Sequence, residues 1–338
     1  MEIRQCVATR IMMSLALLLL IGGARGDEAP VTEKPADTMR GEKPGQDRDD
    51  NGLKMKFVWC PPGIFEMGEA EEVEIMAADD EQDGDEPDPL VEGEDDPKKA
   101  TDDERLTGDE IRPVKVCLTR GYWLGKYEVT QGEWKQVMQT EPWKAEERVK
   151  ERDDFPATFL DWKDAMDFCR RLTSQEREAR RISDAWEYSL PTEAEWERAC
   201  RARTSTTFSF GNDESKLGEY ACFEGNLRRV WFVRRVGQKL PNSWGLHDMH
   251  GSALEWCRDA YNEKLPGGRD PEVKVGDYRV GRGGCWYCPA ERCRSAYRNW
   301  NEPSNRAWYW GFRVALSSVG PAKPASGAGS GGPEGARR

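Results

Sequence analysis

Three of the ten cysteines in this 338-residue chain fall within nine positions, Cys285, Cys288 and Cys293. Crowding of this kind points to sulfur chemistry rather than to the stapling of distant segments. Histidine is nearly absent: His247 and His250 are too few for a multi-histidine metal site or a histidine-based triad. Any redox chemistry here must therefore be carried by sulfur. Cys6 sits in an N-terminal segment expected to be removed, which leaves nine cysteines, an odd number that keeps one thiol free unless it pairs between chains. Cys169 and Cys200 fall on apolar helix faces, where cysteine serves as a small hydrophobe.

The elements that must position these sulfurs are short. Thr130 and Glu133 form a capping box that opens a helix running through Met138, and Thr192 and Glu195 form a second one leading to Cys200. Trp162, Ala165, Met166, Cys169 and Leu172 recur at helical spacing and predict an apolar helix face between those two helices. Phe312, Val314 and Leu316 alternate as a strand would. Elsewhere Gly and Pro punctuate the chain, which predicts a mixed fold with more loop than regular structure. Trp134, Trp162 and Trp196 are expected in the core.

The ends and the charge distribution bound the domain. Arg4 and Arg10, an apolar run from Ile11 to Ile21, then Gly22, Gly23 and Ala24 have the layout of a signal peptide over 1–26. That run is about half of the roughly 20 residues a membrane helix needs, and no other segment is apolar enough to span a bilayer. A secreted or periplasmic location follows, where disulfides persist. Residues 27–51 read as a polar linker and 319–338 as a Gly, Pro, Ala and Ser tail, leaving one domain over 52–318. Between Glu66 and Glu110 stand 21 acidic and 3 basic residues, so that block alone carries −18 and the remainder of the chain about +6 of the total of −12. A like-charge insertion over about 69–110 is expected to stay solvated. Its Asp79, Glu81, Asp83 and Gly84 match the start of an EF-hand loop, but Leu90 stands where the closing Glu is required. The chain has no basic stripe, which argues against nucleic acid as a partner.

Six blocks in order, Met55 to Gly68 (MKFVWCPPGIFEMG), Lys126 to Gln131 (KYEVTQ), Leu190 to Glu197 (LPTEAEWE), Gly245 to Gly251 (GLHDMHG), Arg282 to Gly284 (RGG) and Gly311 to Val314 (GFRV), resemble the formylglycine-generating enzyme, or sulfatase-modifying factor, family. The resemblance covers essentially Gly52 to Leu316. It implies an α+β domain related to the C-type-lectin fold, with little regular secondary structure and often stabilised by calcium. Enzymes of the family use oxygen and copper(I), held by two cysteines with four residues between them. They oxidise a cysteine in a Cys-x-Pro-x-Arg segment of an unfolded sulfatase polypeptide to formylglycine. Cys288 and Cys293 fall on those two positions and are the expected catalytic and copper-binding residues, since soft thiolates select copper(I). Cys288 is the discriminating one, because non-catalytic relatives commonly keep a cysteine at the Cys293 position. A disulfide of Cys288 with Cys285 or with Cys293 is the alternative. The resemblance also implies a calcium site from the side chains of Asp248 and Glu255 and the backbone carbonyls of Gly251 and Ala253, an all-oxygen set of the kind calcium prefers.

Two positions depart from the family pattern. Cys285 replaces the usual Ser after the paired glycines, and Leu254 replaces the Trp of the Gly-Asn-x-Trp-Glu-Trp stretch. Both change the pocket wall and weigh against catalysis; the reading that rests on the six blocks and on Cys288 and Cys293 is a copper-dependent oxidoreductase acting on a sulfatase cysteine. A non-catalytic extracellular binding module on the same scaffold is the alternative.

Overall fold

The structure, a computed structural model, describes residues 39–69, 112–227 and 232–320. The expected signal segment, nearly all of the acidic insertion and most of the tail lie outside these residues. The body begins earlier than Gly52. Asp47–Arg48 (β1) pairs antiparallel with Phe57–Cys60 (β2), and the Met39 carbonyl accepts from Trp123 Nε1 at 2.7 Å. This stretch is polar and shows no periodicity, so composition alone reads it as linker; backbone pairing, which leaves no mark in side-chain pattern, decides otherwise.

β1 and β2 are the edge of a five-stranded sheet in the order β1, β2, Tyr122–Gly125 (β5), Ala315–Ser318 (β12) and Trp186–Ser189 (β6). A four-stranded sheet runs Arg298–Asn301 (β10), Arg279–Arg282 (β9), Leu254–Ala260 (β7) and Trp310–Gly311 (β11). A three-stranded sheet joins Gly63–Met67 (β3), Val114–Leu118 (β4) and Gly268–Arg269 (β8). The alternation of Phe312, Val314 and Leu316 does not make one strand. All three are buried, but β12 starts only at Ala315, and the Phe312 and Val314 carbonyls accept from Val129 and Gly125 across a loop.

The helices start where their caps lie. Gln131–Met138 (α1) has both halves of the Thr130–Glu133 box and stops at Gln139 in the left-handed region, φ 57°. Trp162–Glu178 (α2) is capped by Asp161 and Asp164 and buries Ala165, Phe168, Cys169 and Leu172. Glu193–Arg201 (α3) carries the Thr192–Glu195 box. Two one-turn helices follow, Leu217–Tyr220 (α4) and Glu224–Leu227 (α5). In the core Trp134 stacks on Phe168 at 5.8 Å and meets the edge of Phe312, while Trp256 stacks on Trp310 at 3.8 Å. Trp134 and Trp196 are fully buried and Trp162 partly so, as core residues should be.

One buried ion network bears on the site. Arg282, which closes β9, is fully buried between Glu193 and Glu197 of α3; Arg298 also pairs with Glu193, and Arg201 with Glu197. Charges this deep are tolerated only when paired and hydrogen-bonded. The network pins the end of β9, and the cysteine loop leaves from there. Among the described residues no helix is long and apolar enough to cross a membrane.

Candidate functional site

Two glycines turn the chain out of β9. Gly283 and Gly284 have φ of 100° and 69°, and a Cβ on Gly284 would lie 2.7 Å from Cys293 Sγ. Only glycine takes this conformation with sulfur so close. Cys285 follows, Cys288 N donates to the Cys285 carbonyl at 3.0 Å, and a single 3₁₀ turn over Ala290–Cys293 returns the chain. All three sulfurs are thus brought onto one buried loop. Cys285 and Cys288 are joined in a disulfide, whereas Cys293 is a free buried thiol whose ionisation burial pushes far up. A Cys288–Cys293 dithiolate therefore requires reduction of the Cys285–Cys288 bond. In the oxidised form Cys293 alone is free, so the donor set for copper(I) is incomplete; in the reduced form two soft sulfurs are present. Leu254 is a core residue of β7, paired with Trp310 and 1% exposed.

The loop is anchored from one neighbouring segment. Trp286 N donates to the Ser252 carbonyl at 2.8 Å, and His250 Nδ1 donates to the Cys293 carbonyl at 2.8 Å. His250 Nε2 accepts from Ser209 N at 3.1 Å, with the Ser209 hydroxyl at 2.8 Å. Burial lowers the imidazole to about 4, so it is neutral, and its two partners fix the Nδ1–H tautomer. Sequence reasoning counted His250 only to exclude histidine chemistry and missed this contact, because no spacing rule links it to Cys293.

The same segment holds the predicted calcium ligands. Its path is forced: Asp248 and Ser252 have φ of 59° and 72°, and a Cβ on Gly251 would meet the Cys222 carbonyl oxygen at 2.2 Å. Asp248 Oδ2 accepts from Gly237 N at 2.6 Å. Glu255 is fully buried. Its Oε1 accepts from Arg313 Nη2 at 2.5 Å, and its Oε2 from Arg313 Nε at 2.6 Å and Trp196 Nε1 at 2.7 Å. Three of the roughly four lone-pair positions of Glu255 are thereby used, and one on Oε1 remains. Glu128, from the KYEVTQ block, is a third buried carboxylate that the sequence reading did not assign. Its Oε1 accepts from Ala253 N at 3.1 Å, while Oε2 makes no hydrogen bond of normal geometry although Ser252 lies beside it.

The electrostatics of this segment are unbalanced. Three buried carboxylates face one buried guanidinium, Arg313. Burial first, then the neighbouring carboxylates, push Glu128 well above the carboxylate range; burial, against the Gly237 amide and Arg313, raises Asp248 to about 6. Buried acids that hold their protons for want of a counter-charge, with an orphaned oxygen on Glu128, fit a hard cation that would take the place of those protons. Among the described residues no three His, Cys, Asp or Glu side chains converge as a ready metal cluster, so backbone carbonyls must supply part of any such shell.

The fold, small mixed sheets with few helices, and this loop pair define an α+β domain of the C-type-lectin-like class. The chain belongs to the sulfatase-modifying factor enzyme 1-like domain family, whose profile matches residues 46–318. It is 26% identical over 204 residues to the formylglycine-generating enzyme of Thermomonospora curvata, covering 52% of this chain and 62% of that protein. To the chaperone protein LppX of Paenibacillus barcinonensis it is 26% identical over 238 residues, covering 58% of this chain and 80% of LppX. The chain spans less than two thirds of the formylglycine-generating enzyme it matches. PvdO from Pseudomonas aeruginosa superposes with a TM-score of 0.62 at 23% identity, over 82% of this chain and all of PvdO. That likeness speaks for the fold.

Proposed function

We propose that the chain is a copper-dependent oxidase of the formylglycine-generating type, converting the cysteine of a Cys-x-Pro-x-Arg segment in an unfolded sulfatase to formylglycine. The observation that carries this reading is the shared loop: Cys288 and Cys293 lie on one buried turn, fixed at its root by the Arg282 network and at both ends by the Asp248–Glu255 segment. Copper(I) held by the two thiolates would supply the activation of oxygen. The chain's own part is to keep two sulfurs dry and preorganised, with Trp286 and Tyr287 packed against Trp308 beside them. Converting a cysteine to an aldehyde and hydrogen sulfide removes two electrons, whereas oxygen takes four on its way to water. A thiol reductant must supply the other two. The same reductant opens Cys285–Cys288, so the need for reduction suits the chemistry. The reading places the protein outside the cytoplasm, where the resting disulfide persists.

The test uses the full chain, reduced with a dithiol and loaded with copper(I), acting on a Cys-x-Pro-x-Arg peptide under oxygen, with the aldehyde captured by a hydrazide. Turnover is expected in the parent and its abolition in Cys288→Ser. Equal turnover in the two would sink the proposal. The Cys285–Cys288 disulfide is the specific observation that favours the other reading, a non-catalytic binding module. A reduced protein that is folded yet takes up no copper(I) would establish that one.

The Asp248–Glu255 segment is read as a calcium site, with Asp248, Glu255 and the Gly251 and Ala253 carbonyls as ligands and the Glu128 carboxylate beside them. The folded-state value of Asp248 lies above its ordinary one, so its contribution without calcium is present at low pH and lost as pH rises through about 6. His250 works in the opposite sense, losing stability as pH falls from about 6.5 towards 4. Comparing melts with calcium and with chelator at each pH cancels the histidine. Calcium displaces the Asp248 proton, so its stabilisation should be about half as large at pH 5 as at pH 7.5, where it reaches about 3 kcal/mol when calcium is 100-fold above its Kd. A shift absent at both values removes the site; an equal shift at both removes the role of Asp248.

A further inference from the structure

His250 is fully enclosed, and no step of the proposed chemistry uses it. It is also the side-chain contact between the two candidate centres, beside the backbone bond of Trp286 N to the Ser252 carbonyl. It lies inside the Asp248–Glu255 segment, yet its Nδ1–H reaches the Cys293 carbonyl at 2.8 Å, while Ser209 N and Oγ hold the far nitrogen at 3.1 and 2.8 Å. The edges of Phe208 and Phe210 fix the ring plane at 5.6 and 5.7 Å. Two residues on, Ser252 takes the amide of Trp286. One rigid segment thus grips the cysteine loop near both ends, at Trp286 and at Cys293. Between those grips stands Cys288, whose carbonyl is held by Glu224 N at 3.1 Å. The loop's own last turn is a single 3₁₀ turn without a side-chain cap; within the loop the Cys285 backbone bonds the Cys293 thiol, and His250 holds the Cys293 carbonyl from outside it.

We propose that His250 is the positioning residue of the cysteine centre: its Nδ1–H bond to the Cys293 carbonyl sets where Cys293 Sγ sits relative to Cys288. Through it, the geometry of the carboxylate segment is passed to the sulfurs. The inference rests on the copper reading for its consequence, and on the hydrogen bonds alone for its existence. Hydrogen bonds of this kind, one shell behind the metal ligands, are worth about 10–100-fold in metal affinity.

The two nitrogens of the ring can be separated by substitution. In His250→Asn the side-chain amide stands where Nδ1 stood and can still donate to the Cys293 carbonyl. In His250→Gln the amide reaches the Nε2 position, keeps Ser209 and loses Cys293. Both remove the ring from Phe208 and Phe210 alike, so a purely structural role predicts equal effects. Three quantities are read on the reduced full chain: copper(I) affinity by competition with a chromogenic chelator, the alkylation rate of Cys293 resolved by peptide mass spectrometry, and the melting temperature. The expected result is a loss of about tenfold or more in copper(I) affinity and faster Cys293 alkylation in His250→Gln than in His250→Asn, at similar melting temperatures. Equal values in the two variants overturn the positioning role. If the reduced parent binds no copper(I), the oxidase reading falls, and the alkylation ratio alone still decides for or against His250. Should either variant fail to fold, His250→Ala replaces it: with the bond to the Cys293 carbonyl gone Cys293 alkylation rises, whereas a rate unchanged from the parent overturns the proposal.

Discussion

Arg313→Met is expected to destabilise the domain by about 3–5 kcal/mol, a fall of roughly 10 °C in melting temperature. Arg313 is fully buried and pairs through Nε and Nη2 with both oxygens of Glu255, and it also donates to the Gly125 and His247 carbonyls. Methionine fills much of the volume but leaves the Glu255 carboxylate with only Trp196 as a donor, beside Glu128 and Asp248. Three buried acids would then have no counter-charge. A bound cation would offset part of this, so the loss should be larger with chelator than with calcium. Adding Glu255→Leu should recover part of it, because removing both members of a buried pair costs less than removing one. A change below about 1 kcal/mol in the single variant would show that Arg313 does not balance this cluster.

Cys285→Ser is expected to make copper(I) binding independent of added reductant. In the parent Cys288 is tied to Cys285, so the oxidised protein should take up no copper(I), and prior reduction with a dithiol should release one equivalent of binding. The serine variant cannot form that bond, and Cys293, buried and with its ionisation pushed far up, is a poor attacker of any partner. Copper(I) should therefore bind to the variant as isolated, and aldehyde formation should start without a lag once the thiol that supplies the two electrons is added. Titration of oxidised parent, reduced parent and variant with copper(I) in the absence of oxygen checks this. If the oxidised parent binds as well as the variant, the disulfide does not guard the site.

Local rules in the sequence carried much of the backbone. The Thr130–Glu133 and Thr192–Glu195 boxes fixed the starts of α1 and α3, because a cap is a contact between residues three apart and needs nothing else. The spacing of Trp162, Ala165, Cys169 and Leu172 fixed the buried face of α2, though not its Asp161 cap or its extent to Glu178. The six blocks fixed the family, and with it the α+β, lectin-like fold. Pairing between distant segments left no such trace: β1 lay in what composition reads as a linker, and Phe312 and Val314 fall outside the strand that begins at Ala315, their carbonyls taken by Val129 and Gly125.

At the site, the sequence alone determined which sulfurs are close, since Cys285, Cys288 and Cys293 span nine residues on a glycine turn. It also supplied Asp248 and Glu255 as acids of one short segment, which runs from a loop into β7. What only the tertiary structure decided is how these groups are spent. Spacing permits Cys288 to pair with either neighbour, and the turn closed by Cys288 N on the Cys285 carbonyl brings the first pair together. Glu128, 120 residues before Asp248, joins the acids; Arg313 takes Glu255; His250 reaches Cys293. Each of these contacts is set by three-dimensional packing of segments far apart in the chain, and for a buried charge or thiol the partner it meets there governs its chemistry.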